Sequence, residues 1–136
     1  MNTETPGHIL IRGVNWLGDA VMTTPAVLRL RERFPGTRIT LLCPEKLQDL
    51  WISHPAVDAV RTFKAGEGLG SVARGLRSVD ADLAVVLPNS FRSALEVWWA
   101  GIPRRVGSGR FPRTLFLTDR IAGDPGVVRM RKRTEA

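Results

Sequence analysis

Paired thiols are missing from this chain. Cys43 is the only cysteine among 136 residues, so neither an intramolecular disulfide nor a metal site built on paired thiolates can form. It reads instead as a small apolar side chain buried at a strand end. Histidine is nearly as scarce: His8 opens an apolar stretch and His54 precedes a proline. The two share no ligand spacing, so neither a metal site nor a Ser-His-Asp triad is predicted. No apolar run approaches the ~20 residues of a membrane-spanning helix, and the longest strongly apolar one, Leu83–Leu87, is strand-sized. The first seven residues are polar and acidic where a secretory signal would be basic. A cytoplasmic protein is expected.

Positive charge is in excess. Twenty Lys plus Arg against thirteen Asp plus Glu give +7, with arginine dominant, which suits planar anionic partners such as phosphate and carboxylate. Arg129, Arg131, Lys132 and Arg133 against Glu135 account for +3 of that total in the last eight residues. The remainder carries no Lys/Arg block and no interleaved aromatic platform, so nucleic acid is not an expected partner.

A 43% hydrophobic content is enough for one core without disulfide or metal staples. Apolar strand-like segments at His8–Gly13, Arg38–Cys43, Ala59–Phe63, Asp82–Leu87 and Arg104–Gly107 alternate with helical stretches at 19–34, 45–53, 68–79 and 90–101. Such alternation implies right-handed crossovers and a parallel sheet with helices on both faces. Pro25 interrupts the first helix, since proline removes a backbone donor and disfavours helical geometry at Thr24. Either a kink is expected there, or a turn through Trp16–Thr23 followed by a helix with Thr24 as its cap. Trp98 and Trp99 read as core packing at a helix end. Residues 1–7 are expected to be disordered, 8–122 to form the domain, and 123–136 to be a basic tail, non-native or disordered.

Two segments concentrate polar groups at strand ends. In Ile9–Asp19 a buried strand runs through Arg12, Gly13, Val14, Asn15, Trp16, Leu17 and Gly18 into Asp19 at a helix start. Ligands of open parallel sheets bind beyond the carboxyl ends of the strands, where such turns lie, and Gly13 and Gly18 allow close backbone approach. A helix start would ordinarily favour bound phosphate, but Asp19 sets a carboxylate there. It serves either as a general base or as a helix cap, and spacing leaves both open. The second segment, Leu87–Ala94, also follows a strand: Asn89 or Ser90 can cap the next helix, and Arg92 can face the same crevice as Asp19. Arg104, Arg105, Arg110 and Arg113 crowd a glycine- and proline-rich stretch that could meet phosphate or carboxylate.

Together, Ile11–Asp19 with Thr23-Thr24-Pro25, Leu87–Ala94, Ala100–Gly107 and the weaker Leu115–Asp119 resemble glycosyltransferase family 9, the bacterial ADP-heptose:lipopolysaccharide heptosyltransferases, and within it the enzymes adding the second heptose. The likeness spans residues 8 to about 120. It implies the Rossmann-like N-terminal domain of a GT-B glycosyltransferase, metal-independent and inverting. It further implies Asp19 as general base and an acceptor side lined by Asn15, Trp16, Gly18, Asn89, Ser90 and Arg92, with Lys64 toward the acidic inner core. No cofactor is implied. The donor ADP-heptose would be held by a C-terminal domain that this chain lacks. The acceptor would be the lipopolysaccharide inner core at the inner face of the cytoplasmic membrane, with peripheral membrane contact and a separate chain as a source of the donor domain. Alone, the fragment is expected to be inactive. The alternative from a different class is a non-catalytic binding module for an anionic glycan or nucleotide.

Overall fold

A computed structural model describes residues 5–109 and 112–120. The readings made for 123–136 and for Arg110 therefore lie outside the described residues. Strands β1 (His8–Arg12), β2 (Arg38–Pro44), β3 (Ala59–Phe63), β4 (Leu83–Val86), β5 (Arg104–Gly107) and β6 (Asp119–Arg120) form one sheet in the order β3-β2-β1-β4-β5-β6. Every pairing is parallel. The order reverses between β1 and β4, so their carboxyl ends open the crevice in which doubly wound sheets bind ligands.

Side chains alternate across the sheet with the two-residue strand period. Ile9, Ile11, Ile39 and Leu41 pack beneath α1 (Leu17–Arg33) and α2 (Gln48–Ile52) together with Val27 and Trp51. Leu10, Leu42, Ala84 and Val86 face α3 (Leu69–Arg77) and α4 (Phe91–Trp99) with Leu76 and Val97. Helices thus cover both faces, as the alternation requires. Cys43 is fully buried, and that burial pushes its thiol up to about 11.

Pro25 neither breaks α1 nor begins it: one helix runs from Leu17 to Arg33. Proline cannot donate to Val21, four residues back. The Thr24 hydroxyl donates to the Val21 carbonyl instead, at 2.7 Å, and Thr23 does the same for Ala20 at 2.6 Å. The carbonyl that Pro25 would orphan is satisfied by its neighbour. Thr24 is therefore not an N-cap.

Thr5, Pro6 and Gly7 fall in the stretch read as disordered. Pro6 is buried and accepts a hydrogen bond from the Thr37 hydroxyl, while Gly7 and His8 donate their amides to the Asp82 carboxylate at 2.8 and 2.9 Å. Trp98 and Trp99, read as core, are each 46% exposed.

Candidate functional site

The turn after β1 is built around a buried cation. Arg12 ends an apolar strand and is only 3% exposed, opposite Glu96 of α4 at 0%. Its Nε donates to Glu96 Oε1 at 2.7 Å. Its Nη1 donates to the Gly13 carbonyl at 2.6 Å and to Asn15 Oδ1 at 2.9 Å, and the guanidinium lies 4.7 Å from the Phe63 ring centroid. Buried charges persist when they are paired and fully hydrogen-bonded, and this pair holds the β1–α1 turn in one shape. Gly13 is needed here for packing: a Cβ would stand 3.0 Å from the Leu42 carbonyl oxygen. Gly18 has nothing within 4 Å of its Cβ position.

Asp19 sits in the first turn of α1, exposed, and joins no ion pair among the described residues. Trp16 occupies the cap position and no side chain caps the helix. The capping alternative for Asp19 thus has no support in the geometry. An unpaired carboxylate at the carboxyl edge of the sheet is able to accept a proton.

The second turn reaches the same cluster. Arg92 donates from Nε to Glu96 Oε2 at 3.2 Å and from Nη2 to the Glu67 carbonyl at 2.6 Å. Glu96 therefore links the loops after β1 and β4, and through Arg92 the loop before α3. Ser90 caps α4, its Oγ accepting from the Ser93 amide at 3.2 Å. Asn89 is exposed and accepts from Ser108 Oγ at 2.9 Å. Lys64 is exposed; its amide donates to Glu67 Oε1 at 3.1 Å, and this bond, with the Ser71 hydroxyl, holds the Glu67 carboxyl below its usual range.

Two hollows flank this cluster. One, of about 400 Å³, lies over the carboxyl ends of β1, β2 and β3, with Asn15, Trp16, Lys46 and Phe63 in its walls. There Lys46 Nζ stands 4.6 Å from the Trp16 ring centroid, a cation on an indole face. The other, of about 500 Å³, lies over β4 and β5 between Asn89, Phe91, Ser108 and Arg113. Asn15 and Trp16 thus share one hollow, Asn89 borders the other, and Asp19, Gly18, Ser90 and Lys64 line neither. Among the described residues no group of three or more His, Cys, Asp or Glu could hold a metal ion.

The arginines that crowd 104–113 are mostly engaged within the protein. Arg104 pairs with Asp119 at 3.4 Å, and Arg105 donates to the carbonyls of Phe116 at 2.6 Å and Ile102 at 2.7 Å. Arg113 is 3% exposed and binds the carbonyls of Ser108 and Ser90, each at 2.6 Å. They fasten loops, where the sequence suggested contact with anions.

No family model matches the chain. A curated relative, lipooligosaccharide heptosyltransferase 2 of Haemophilus ducreyi, is 33% identical over 117 residues, covering 82% of this chain and 33% of its own. The structure of the Escherichia coli ADP-heptose lipopolysaccharide heptosyltransferase II superposes with a TM-score of 0.75 at 34% identity, over 86% of this chain and 35% of that one. The glycosyltransferase family 9 structure from Veillonella parvula gives 0.78 at 26%, over 89% and 37%. The chain is heptosyltransferase II-like, within glycosyltransferase family 9. It spans about a third of the length of the relatives it matches. Its sheet is the Rossmann-like α/β fold of those heptosyltransferases.

Sequence reasoning missed Arg12, Glu96 and Lys46. The first two carried a legible signal, a lone charge inside the apolar strings Ile9–Arg12 and Ala94–Trp99, since charges are seldom buried unpaired. Nothing marked Lys46, which meets Trp16 only because β1 and β2 are neighbours.

Proposed function

We propose that the chain is the acceptor-binding half of a heptosyltransferase that moves heptose from ADP-heptose to a hydroxyl of the lipopolysaccharide inner core, with Asp19 as general base. The observation that carries this is the exposed carboxylate of Asp19, in no ion pair among the described residues, on the helix that follows β1, beside the β1–β4 switch. In the proposed reaction Asp19 takes the proton of the acceptor hydroxyl as that oxygen bonds to the anomeric carbon. The bond from that carbon to the ADP oxygen breaks, ADP leaves with the electron pair, and the anomeric configuration inverts without a metal. Asn15, Trp16, Gly18, Asn89, Ser90, Arg92 and Lys64 form the acceptor side, which includes the hollow between Trp16, Lys46 and Phe63. The donor is held by a further domain or a separate chain. Catalysis occurs at the cytoplasmic face of the inner membrane, with peripheral contact. Holding both substrates in line supplies much of the acceleration, so this chain alone has negligible turnover.

The test is Asp19→Asn in an enzyme completed by a donor domain. Turnover is expected to fall by about 10²–10⁴-fold, the usual worth of a positioned base, with acceptor affinity and melting temperature unchanged because the Asp19 side chain joins no ion pair among the described residues. Retained turnover would overturn the base assignment. A completed protein that binds acceptor yet never transfers sugar, in wild-type form, would favour a non-catalytic glycan-binding module.

A further inference from the structure

His8, Arg38 and Ala59 each open a strand, and a further hollow lies among them at the end of the sheet opposite the crevice. It measures about 200 Å³, and Thr40, Arg61 and Ser78 complete its walls. Its origin is in the sequence. With the two-residue period of a strand, His8, Arg38, Thr40, Ala59 and Arg61 share the sheet face of Leu10 and Leu42, on which α3 packs. α3 ends at Arg77. Thr40 on β2 pairs with Ala59 on β3, two small side chains that leave the space beside that helix end unfilled.

Two cations border this space from opposite directions. Arg61 pairs with Leu42, four residues along β2 from Arg38, so their backbones stand about 13 Å apart along the sheet, a gap that two arginine side chains can span. Both are exposed, and neither joins an ion pair among the described residues. No carboxylate among the described residues lines the hollow. The acids nearby are engaged elsewhere: Asp58 pairs with Arg31 at 2.6 Å, and Asp82 accepts the amides of Gly7 and His8. Between the arginines, His8 Nε2 and the Thr40 hydroxyl form a 2.7 Å hydrogen bond, and Thr40 is buried. His8 is held below its ordinary value by burial first and then by Arg38, against the upward pull of Asp82, the Val79 carbonyl and Asp80. The C-terminus of α3 brings about half a negative charge to the same space, which two guanidiniums outweigh.

We propose that this hollow binds a small tetrahedral oxyanion of the phosphate class, held between Arg38 and Arg61 beside the His8–Thr40 pair. The planar guanidinium fork matches two phosphate oxygens at once, and a pair of forks converging without acidic partners leaves that charge to a ligand. The volume falls below the ~300 Å³ at which sites for drug-sized ligands begin. It therefore suits inorganic phosphate or the phosphoryl end of a small ester, and is too small for a sugar nucleotide. The site is remote from Asp19, at the other end of the strands, and stands whether or not Asp19 is a base.

The test is calorimetric titration of the full chain at neutral pH and constant ionic strength with inorganic phosphate and, in a second arm, glycerol 3-phosphate. Saturable binding at one site is expected; a tighter ester assigns the hollow to phosphorylated small molecules, and a tighter inorganic ion to free phosphate. Arg38→Gln and Arg61→Gln should each weaken binding by about tenfold, the worth of one hydrogen bond to a charged group. Ala59→Leu fills the hollow and leaves every charge in place, so it should abolish binding. If that variant fails to fold, the two exposed arginines keep the test decisive. The two histidines of the chain supply an independent readout by proton NMR. In sulfate, a tetrahedral dianion that does not titrate where histidine does, the midpoint of the His8 ring signal should move upward relative to chloride, because a bound anion favours the imidazolium. The His54 signal, outside the hollow, should follow one curve in both salts. Binding that survives both arginine changes, as the basic residues 129–136 alone would give, overturns the proposal. So does undiminished binding by a folded Ala59→Leu variant, a His8 signal indifferent to sulfate, or no saturable binding in either arm.

Discussion

Glu96 exposes no surface; its Oε1 accepts from Arg12, and its Oε2 from both Arg12 and Arg92. A buried carboxylate in this position is worth little against a well-packed apolar group, but removing it alone leaves the Arg12 cation stranded. Glu96→Gln is therefore expected to lower stability by about 3 kcal/mol or more in urea unfolding, and to broaden the amide resonances of Gly13 and Asn15, whose positions Arg12 holds. Unchanged stability would mean that water replaces the carboxylate. At this scale the sequence was only half readable. The buried partners announced themselves as charges in apolar strings, but their pairing spans 84 residues and follows from the sheet order, which local pattern does not encode. The polar residues nearest the turns were easier, because the carboxyl ends of parallel strands are where such groups gather.

Among the elements, α1 carries the most instructive departure. Local rules gave either a kink at Pro25 or a helix beginning there; the second fails, the helix running through Pro25 with the carbonyl that proline would orphan satisfied by a hydroxyl one residue earlier. A threonine immediately before an in-helix proline was the available signal. Pro25→Ala should restore the amide bond to Val21 and raise stability by about 1–2 kcal/mol, the helix gain offset in part by a freer unfolded chain; a lower melting temperature would mean that the helix requires its present curvature. The strands were more legible. Ala59–Phe63 and Arg104–Gly107 match the expected segments to the residue, although both are half-exposed and carry arginine; the buried, continuously apolar β1 and β4 follow the usual pattern of parallel strands. The two-residue β6 is too short to leave any periodicity. Trp98 and Trp99 misled for a different reason: hydrophobicity reports that a side chain avoids water, and is silent on whether its own chain or another surface covers it.

Over the whole molecule, acid acts in one direction. Asp58 is held below its usual range chiefly by the Ile39 amide, with Arg31 at 2.6 Å adding to it. In Asp82, burial pushes upward but the amides of Gly7 and His8 outweigh it, so its carboxyl is also lowered. For depressed carboxylates the stabilisation is complete above the unfolded values near 4 and is lost as pH falls through the folded ones. His8 is lowered too, by burial first and then by Arg38. Its contribution is complete above about 6.5 and declines as pH falls from there toward its folded value. Melting temperature should therefore fall in two stages on acidification, the first removed by His8→Gln and the second reduced by Asp82→Asn. A flat profile between pH 7 and 3 would contradict both. The parallel, two-sided architecture was legible from the alternation of segments; the strand order that creates the crevice was not.

That order also governs how the chain must be made. β1 lies at the middle of the sheet, with Ile9 opposite Ile39 on one side and Leu83 on the other. During synthesis from the amino terminus, β1 can find its first neighbour early, but its second edge stays open until Leu83–Val86 has left the ribosome. Until then Leu10 and Leu42 have only Val72 and Leu76 of α3 to cover them, because Val97 of their cluster, on α4, arrives after that point. The nascent chain thus exposes an unfinished apolar sheet for most of its translation, and the interval before β4 emerges is when chaperone binding and aggregation compete for it.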